Sequence, residues 1–233
     1  MNWRIPRMWE DGECWVIGGG PSMPQQFGIP GDVISSVYTK NEGIEAYSPY
    51  LSAIHGKHVI GVNAAFMLGQ WIDIMIYGDG HFYWVNQERL ISFHGLKISC
   101  NPNTRPGKPG VYGLKYVARD GTHLFGLSTK PNMISWNKNT GGAAISLAHK
   151  LGVRRILLLG FDMNLSEAGN QHWHSHYPTA GKVRPAAQLP FKRHMECFGP
   201  IRRDAARLGV EILNVNPNSA IDEFPKVELK DVL

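Results

Sequence analysis

A run of histidines offers more chemistry than any other segment of this sequence. His172, His174 and His176 alternate with other residues within the segment 171–178. In an extended chain alternate residues point to the same side, so the three imidazoles could bind one metal ion. The same arrangement suits proton transfer, because histidine titrates near neutral pH. A third interpretation is structural, with the rings packing a loop, and the sequence does not choose among the three.

A glycine-rich turn is the second such feature. Gly18-Gly19-Gly20-Pro21-Ser22 follows the apolar segment Cys14–Ile17. Glycines let the backbone approach a ligand closely, and Pro21 suits the first turn of a helix whose free amides can bind an anion. These features predict a phosphate-binding turn. Plain connections between a strand and a helix use the same residues, so this alternative stays open.

Three polar residues directly follow apolar segments that we predict to be strands. Asn63 follows 58–62, Asp79 follows 71–77 between two glycines, and Asp162 follows 156–159. In open α/β sheets, ligands bind beyond the carboxyl ends of the strands. Asp79 could therefore bind a metal–nucleotide complex, a ribose or an acceptor, or it could simply form a turn. The same two kinds of role apply to Asp162.

The element that must position Asp162 is a helix followed by a strand. Ala144, Leu147, Ala148 and Leu151 have the spacing of one buried helical stripe, and Asn139 or Thr140 can cap the helix start. The helix is predicted to end at Gly152. The apolar run from Ile156 to Leu159 favours a strand that is buried on both faces of a parallel sheet.

The rest of the chain repeats this pattern of apolar strand and polar end. Strands are predicted at 14–17, 58–63, 71–77, 98–101, 114–118, 122–127 and 211–214, and helices at 82–91 and within 191–208, where Gly199-Pro200 should kink the helix or start a new one. Residues 24–57 are predicted to form a surface excursion.

The expected fold is a single α/β domain over 1–233, with a Rossmann-like, mostly parallel sheet, helices on both faces and long loops at the carboxyl edge. Those loops are a lid at 101–139 and a histidine-rich active-site loop at 162–190.

Composition narrows the functional class. The chain has 233 residues, a net charge of +5 and a pI near 9.1, but no run of like charges that indicates a nucleic-acid tail. A basic late segment fits a solvated helix face or contact with an anionic acceptor: Lys192, Arg193, His194, Arg202 and Arg203. Three widely spaced cysteines and no apolar stretch of signal or membrane-span length predict a reduced, cytoplasmic protein.

The order of these motifs resembles that of the bacterial, Campylobacter-type sialyltransferases. The likeness spans roughly residues 14–220 and consists of the glycine-rich turn, Asn63, Thr140-Gly141-Gly142, Gly160-Phe161-Asp162 and Ser175-His176-Tyr177. The chain is similar in the same way to MptE-like proteins and to uncharacterised phage and prophage proteins that share this nucleotide-binding core.

The resemblance implies a role for each matching position. It implies that the cytidine monophosphate part of a donor contacts Gly19, Gly20, Ser22 and Asn63. It places Thr140, Gly141 and Gly142 near the donor phosphate or base, and Asp162 near the ribose. It makes His176 the general base, with His174 as the other match. The chain departs from the family at Gly19, where the family has asparagine, and at 164–169, which lacks the two tyrosines that steady the leaving phosphate.

The predicted function is therefore a nucleotide-dependent transferase, specifically a sialyltransferase-like glycosyltransferase that needs no cofactor. Its predicted partners are a nucleotide or nucleotide sugar and an acceptor that is a glycan, a small molecule or a nucleic acid; a homo-oligomer is compatible with the sequence. A second hypothesis is an MptE-like pyrophosphokinase in which Asp79 and Asp162 hold Mg²⁺. A third is a non-catalytic phage accessory protein that binds nucleotides or DNA.

Overall fold

The computed structural model of the protein describes residues 3–176 and 189–233. Its strands are β1 (Glu13–Ile17), β2 (Val59–Val62), β3 (Ile74–Tyr77), β4 (Leu96–Ser99), β5 (Lys115–Tyr116), β6 (Ala118–Arg119), β7 (Met133–Ile134), β8 (Arg155–Leu159) and β9 (Glu211–Asn214). Seven of them form one parallel sheet in the order β5-β4-β3-β2-β1-β8-β9. The other two, β6 and β7, pair in a small second sheet.

The α-helices are α1 (Met23–Gln26), α2 (Gly31–Thr39), α3 (Gly80–Ser92), α4 (Thr140–Lys150), α5 (Phe191–Met195) and α6 (Phe198–Leu208). Short 3₁₀ helices span Ile44–Ile54, Asn63–Leu68, Pro102–Thr104 and Leu229–Asp231. Within the two described ranges, we find no helix with the length and apolar character needed to cross a bilayer.

The sheet is buried on both faces. Along β1, Cys14 and Val16 pack on the side of α4 and α6, while Trp15 and Ile17 pack on the side of the 3₁₀ helices. Such alternation explains why the strands are apolar at nearly every position. The α/β class with helices on both faces, predicted from the sequence, is confirmed.

The strand order places a topological switch point between β1 and β8. From β1 the chain adds β2, β3, β4 and β5 on one side, and it then returns to add β8 and β9 on the other. Connections on the two sides leave in opposite directions, which opens a crevice at the carboxyl ends of these two strands.

The helix-and-strand unit before Asp162 forms as predicted. Asn139 caps α4 by accepting a hydrogen bond from the Gly141 amide at 2.8 Å. β8 covers the predicted 156–159, and the new helix predicted at Gly199-Pro200 is α6.

Three local predictions need correction. No strand lies at 122–127, because the amides of Gly126 and Leu127 bond the side chains of Asn137 and Asp204 instead of a neighbouring strand. Segment 24–57 was predicted to form a surface excursion, but its apolar side chains, among them Tyr47, pack against the face of the sheet that carries Trp15 and Ile17. The helix after the glycine-rich turn begins at Met23 and has only 4 residues, with Pro24 rather than Pro21 in its first turn.

Candidate functional site

A cavity of about 470 Å³ lies at the carboxyl edge of the sheet. Residues after β1, β2, β3, β4 and β8 and at the start of α4 line it. The structure brings together here Gly19, Gly20, Asn63, Asp79, Thr140, Gly141 and Asp162, together with His172. Their predicted roles in binding stay predictions, but their predicted convergence is present.

The glycine-rich turn packs against the end of β8. The Gly18 and Gly20 amides donate to the carbonyls of Leu159 and Gly160, at 2.8 and 2.7 Å. A Cβ atom at Gly20 would lie 2.5 Å from the Asp162 carboxyl carbon. The amides of Gly18 and Gly20 are thus bonded within the protein, and the phosphate-binding role of the turn stays a prediction. Their glycines allow β1 and β8 to approach.

Asp162 is held by residues from three parts of the chain. Its Oδ2 accepts the Ser22 amide at 2.7 Å, and its Oδ1 accepts the Ser22 hydroxyl at 2.7 Å and the Asn216 side-chain amide at 2.8 Å. Asp162 is 1% exposed. Burial raises the pKa of its carboxyl group, while the hydrogen bonds from Ser22 and Asn216 act in the opposite direction. Three hydrogen bonds leave Oδ2 with one further acceptor position for a ligand. Ser22 bonds Asp162 but does not itself line the cavity.

The start of α4 faces the cavity. Thr140 and Gly141 line it, and the 11-residue helix directs its positive dipole end there. Gly142 does not line the cavity, because its carbonyl accepts the side-chain amide of Asn137 at 3.0 Å and a Cβ atom would lie 2.7 Å from the Asn137 Cβ.

Asn63 presents an unsatisfied polar atom. Its backbone has φ +52°, a left-handed conformation that asparagine tolerates. Its Oδ1 is buried and has no hydrogen-bond partner among residues 3–176 and 189–233. A buried acceptor without a donor is unfavourable, so a ligand that supplies one would be stabilised here.

Asp79 has a structural role and also lies at the cavity, while its predicted role in binding stays a prediction. It caps α3 by accepting the His81 amide at 2.9 Å, and it lines the cavity.

The histidine run divides between two places. His172 lines the cavity, with its Nδ1 3.2 Å from the Gly19 carbonyl oxygen. A carbonyl oxygen accepts a hydrogen bond only from a ring nitrogen that carries a hydrogen. We therefore assign the hydrogen of the neutral His172 ring to Nδ1, which leaves Nε2 as the basic nitrogen. Burial lowers the pKa of His172 to about 4. His174 is buried beside Trp173, whose indole donates to the Gly18 carbonyl at 2.8 Å.

His176 lies away from this cavity. It lines a second cavity of about 440 Å³ with Glu45, Gln70 and Arg89. Neither His176 nor His174 lines the first cavity, although the ring centroids of His172 and His174 are 5.9 Å apart and those of His174 and His176 are 6.2 Å apart. The role of general base that the resemblance implies for His176 or His174 stays a prediction. Tyr177 lies outside the described residues. No group of three or more His, Cys, Asp or Glu side chains in the described ranges could hold a metal ion, so His172, His174 and His176 do not form a metal site there.

Positively charged side chains complete the lining. Arg119, Lys138 and Arg193 carry this charge, and His194 also lines the cavity with a ring that is neutral near pH 7, because burial lowers its pKa to about 4. None of the four was predicted as a site residue. The first two come from segment 101–139, whose path depends on long-range contacts that periodicity does not report. The basic run at 192–194 had indicated either a solvated helix face or contact with an anion. The position of Arg193 and His194 at the cavity favours contact with an anion.

Comparisons with known proteins identify the fold. No family model and no curated protein match the chain. Among solved structures, the chain is similar to the MAf glycosyltransferase from Magnetospirillum magneticum AMB-1, with a TM-score of 0.57 and 13% identity over 100% of this chain. The chain spans only 36% of that protein. It also matches the sialyltransferase CstII from Campylobacter jejuni in complex with cytidine-5'-monophosphate, with a TM-score of 0.45, 11% identity and coverage of 92% and 84% of the two chains. The predicted likeness to a glycosyltransferase core is confirmed at the level of the fold.

Proposed function

We propose that the protein is a nucleotide-dependent transferase, specifically a glycosyltransferase whose donor is a nucleotide sugar. The observation that supports this most is one cavity in which the start of α4, the unpartnered Asn63 oxygen and cationic side chains meet. A nucleotide offers polar ring groups to Asn63 and phosphate charge to the helix dipole and the cations. The fold shared with a glycosyltransferase supports the proposal by analogy only.

The donor would lie across the switch point. Its phosphate would lie at the start of α4, near Thr140 and Gly141, because these residues line the cavity at the positive end of the helix dipole. The Gly141 amide itself is bonded to the Asn139 side chain, so the dipole and the cations, rather than that amide, would hold the phosphate. Since the Gly18 and Gly20 amides are bonded elsewhere, α4 and the cations take the role first expected of the glycine-rich turn.

The transfer step needs a base and a stabilised leaving group. The acceptor hydroxyl oxygen forms a bond to the anomeric carbon as the bond from that carbon to the phosphate oxygen breaks, and the electron pair stays on the phosphate. The α4 dipole and the cations of the cavity stabilise that charge. In this proposal no metal ion is required.

We assign the general base to His172 rather than His176, because only His172 of this run lines the cavity. Its Nε2 would take the proton of the acceptor hydroxyl. A pKa of about 4 keeps the ring neutral at pH 7, and a bound anionic donor would raise that pKa toward the working range.

The test is a ligand screen of the full chain. Thermal shift with nucleoside mono- and diphosphates and nucleotide sugars should show concentration-dependent stabilisation for one base, without added metal. A hit would then be assayed for donor hydrolysis and for transfer to glycan and small-molecule acceptors. If no nucleotide or nucleotide sugar stabilises the protein at millimolar concentration, the proposal is wrong. Binding of ATP that strictly needs Mg²⁺ would support the pyrophosphokinase instead.

A further inference from the structure

The guanidinium of Arg119 is fixed in the wall of the cavity. Its Cζ lies 3.8 Å from the ring centroid of Trp136, and its Nη2 donates to the Gly78 carbonyl at 2.9 Å. Trp136 in turn fills the space above Gly78, where a Cβ atom would overlap the indole. A face contact and a directional hydrogen bond together fix both the position and the plane of the guanidinium.

This fixed cation has no counter-ion within the described parts of the chain. Residues 3–176 and 189–233 place no carboxylate within 4.0 Å of Arg119, and its Nε is buried without a hydrogen-bond partner. The other cation from the same segment, Lys138, lies 3.7 Å from Glu196. A partly buried charge without a partner is unfavourable for the folded protein. A ligand that brings a negative group to Arg119 would remove this cost.

The nearest carboxylate in the sequence is committed elsewhere. Asp120 is 3% exposed and accepts hydrogen bonds from Ser128 at 2.8 Å and from Lys130 at 3.0 Å. The chain therefore separates the two opposite charges of Arg119 and Asp120, although they are adjacent. Arg119 lines the cavity, its Nε is buried, and its Nη2 bonds the Gly78 carbonyl and contacts Cys100 Sγ at 4.0 Å, so Nη1 is the donor that can meet a ligand.

We infer that Arg119 is a specificity-determining residue that binds an oxyanion of the substrate. The oxyanion is a phosphate of the donor or a carboxylate on the transferred sugar or the acceptor, since a planar guanidinium binds either group in the same way. This inference rests on the proposed function and adds that ligands of this cavity are selected for negative charge at the end bordered by β3 and β4.

Calorimetry on the full chain tests the inference with matched charged and neutral ligands. Arg119→Gln should weaken binding of the nucleoside monophosphate at least about tenfold and leave the matching nucleoside within about twofold. Arg119→Lys keeps the charge without the planar fork and should lose less. A second pair of ligands tests whether the oxyanion is a carboxylate. With nucleotide present at saturation, the affinity for glucuronate is compared with that for glucose in the wild type and in Arg119→Gln. A loss confined to the monophosphate assigns the donor phosphate, and one confined to glucuronate assigns a carboxylate.

Arg105→Gln is the matched control. Arg105 also stacks on an aromatic ring, that of Tyr116 at 4.5 Å, but it does not line the cavity. Its replacement should leave all affinities unchanged. Equal losses for charged and neutral ligands in Arg119→Gln would mean that Arg119 only supports the wall, and no loss at all would equally overturn the inference.

Failure of the proposed function gives a different result. If the wild-type protein binds no nucleotide, the transferase proposal fails, and inorganic phosphate then decides the role of Arg119. Phosphate should raise the melting temperature of the wild type and of Arg105→Gln but not of Arg119→Gln. Stabilisation that persists in Arg119→Gln, or that is absent from the wild type, overturns the inference.

Discussion

The carboxylate of Asp162 accepts both the backbone amide and the hydroxyl of Ser22, each at 2.7 Å, across a sequence separation of 140 residues. This pair joins the turn after β1 to the end of β8, and Asn216 adds a third hydrogen bond from beyond β9. The floor of the cavity depends on these bonds, because Gly20 before Ser22 and the residues on either side of Asp162 line it.

Asp162→Asn should therefore lower the free energy of unfolding by about 1–3 kcal/mol, because its amide NH₂ would face a donor of Ser22 or Asn216. Urea unfolding followed by circular dichroism measures the change. Asp222→Asn is the control, since Asp222 pairs with Lys226 in an 88% exposed position and should change stability by less than about 0.5 kcal/mol. Equal effects of the two variants would contradict a special role for Asp162.

His172→Ala should reduce transferase turnover by about 10²-fold or more, because the acceptor hydroxyl would lose its base. His176→Ala should retain turnover within about threefold, because His176 lines the other cavity. The measurement is initial rate at saturating donor, with donor affinity from calorimetry as the check on folding. The reverse ranking of the two variants would restore His176 as the base.

Acid should destabilise the protein below neutral pH. Burial lowers the pKa of His172, His149 and His194 to about 4, against 6.5 for the exposed side chain. Between these two pKa values the unfolded chain binds more protons than the folded protein. The contribution of these histidines to the free energy of unfolding is therefore fully present above pH 6.5 and is lost as the pH falls toward 4. The free energy of unfolding from urea titrations should be lower at pH 5 than at pH 7.5, by up to about 2 kcal/mol for each histidine.

A shallower pH dependence in His172→Gln would identify its share of this effect. A stability that stays constant or rises between pH 7.5 and 5 would show that these rings are not buried in the neutral form.

Gly78→Ala should both destabilise the protein and weaken ligand binding. The new methyl group would overlap the indole of Trp136, and displacement of that ring would release the guanidinium of Arg119. We expect a loss of about 1–3 kcal/mol, typical of overpacking. Gly80→Ala is the control, because its Cβ would meet nothing closer than the Asn101 side chain at 3.4 Å. Urea unfolding and monophosphate affinity measure the two effects, and a neutral Gly78→Ala would contradict the fixed wall.

The sequence predicted those elements whose signals are local. The capped helix from Thr140, the apolar β8 and the polar residues after β2, β3 and β8 follow from periodicity and strand ends. The general position of the cavity could be predicted for the same reason, because parallel strands bring their carboxyl ends to one edge.

What the sequence did not predict depends on distant partners. Arg119 enters the cavity only because β6 pairs with β7 and Trp136 covers Gly78, and neither contact has a local signature. The glycine-rich turn predicted a phosphate site, and the sequence did not show that the Gly18 and Gly20 amides bond the end of β8. The histidine alternation predicted neighbouring rings, and their centroids lie 5.9 and 6.2 Å apart along the run. The sequence did not show that His174 is buried and that His176 lines another cavity.

The pairing of β1 with β8 has a consequence for biosynthesis. Glu13 of β1 lies opposite Arg155 of β8, so β1 leaves the ribosome well before the strand that covers its second edge. Nascent chains that end before Arg155 should consequently bind no nucleotide and need protection of the exposed β1 edge. Arrested ribosome complexes of increasing length would reveal the length at which ligand capture first occurs.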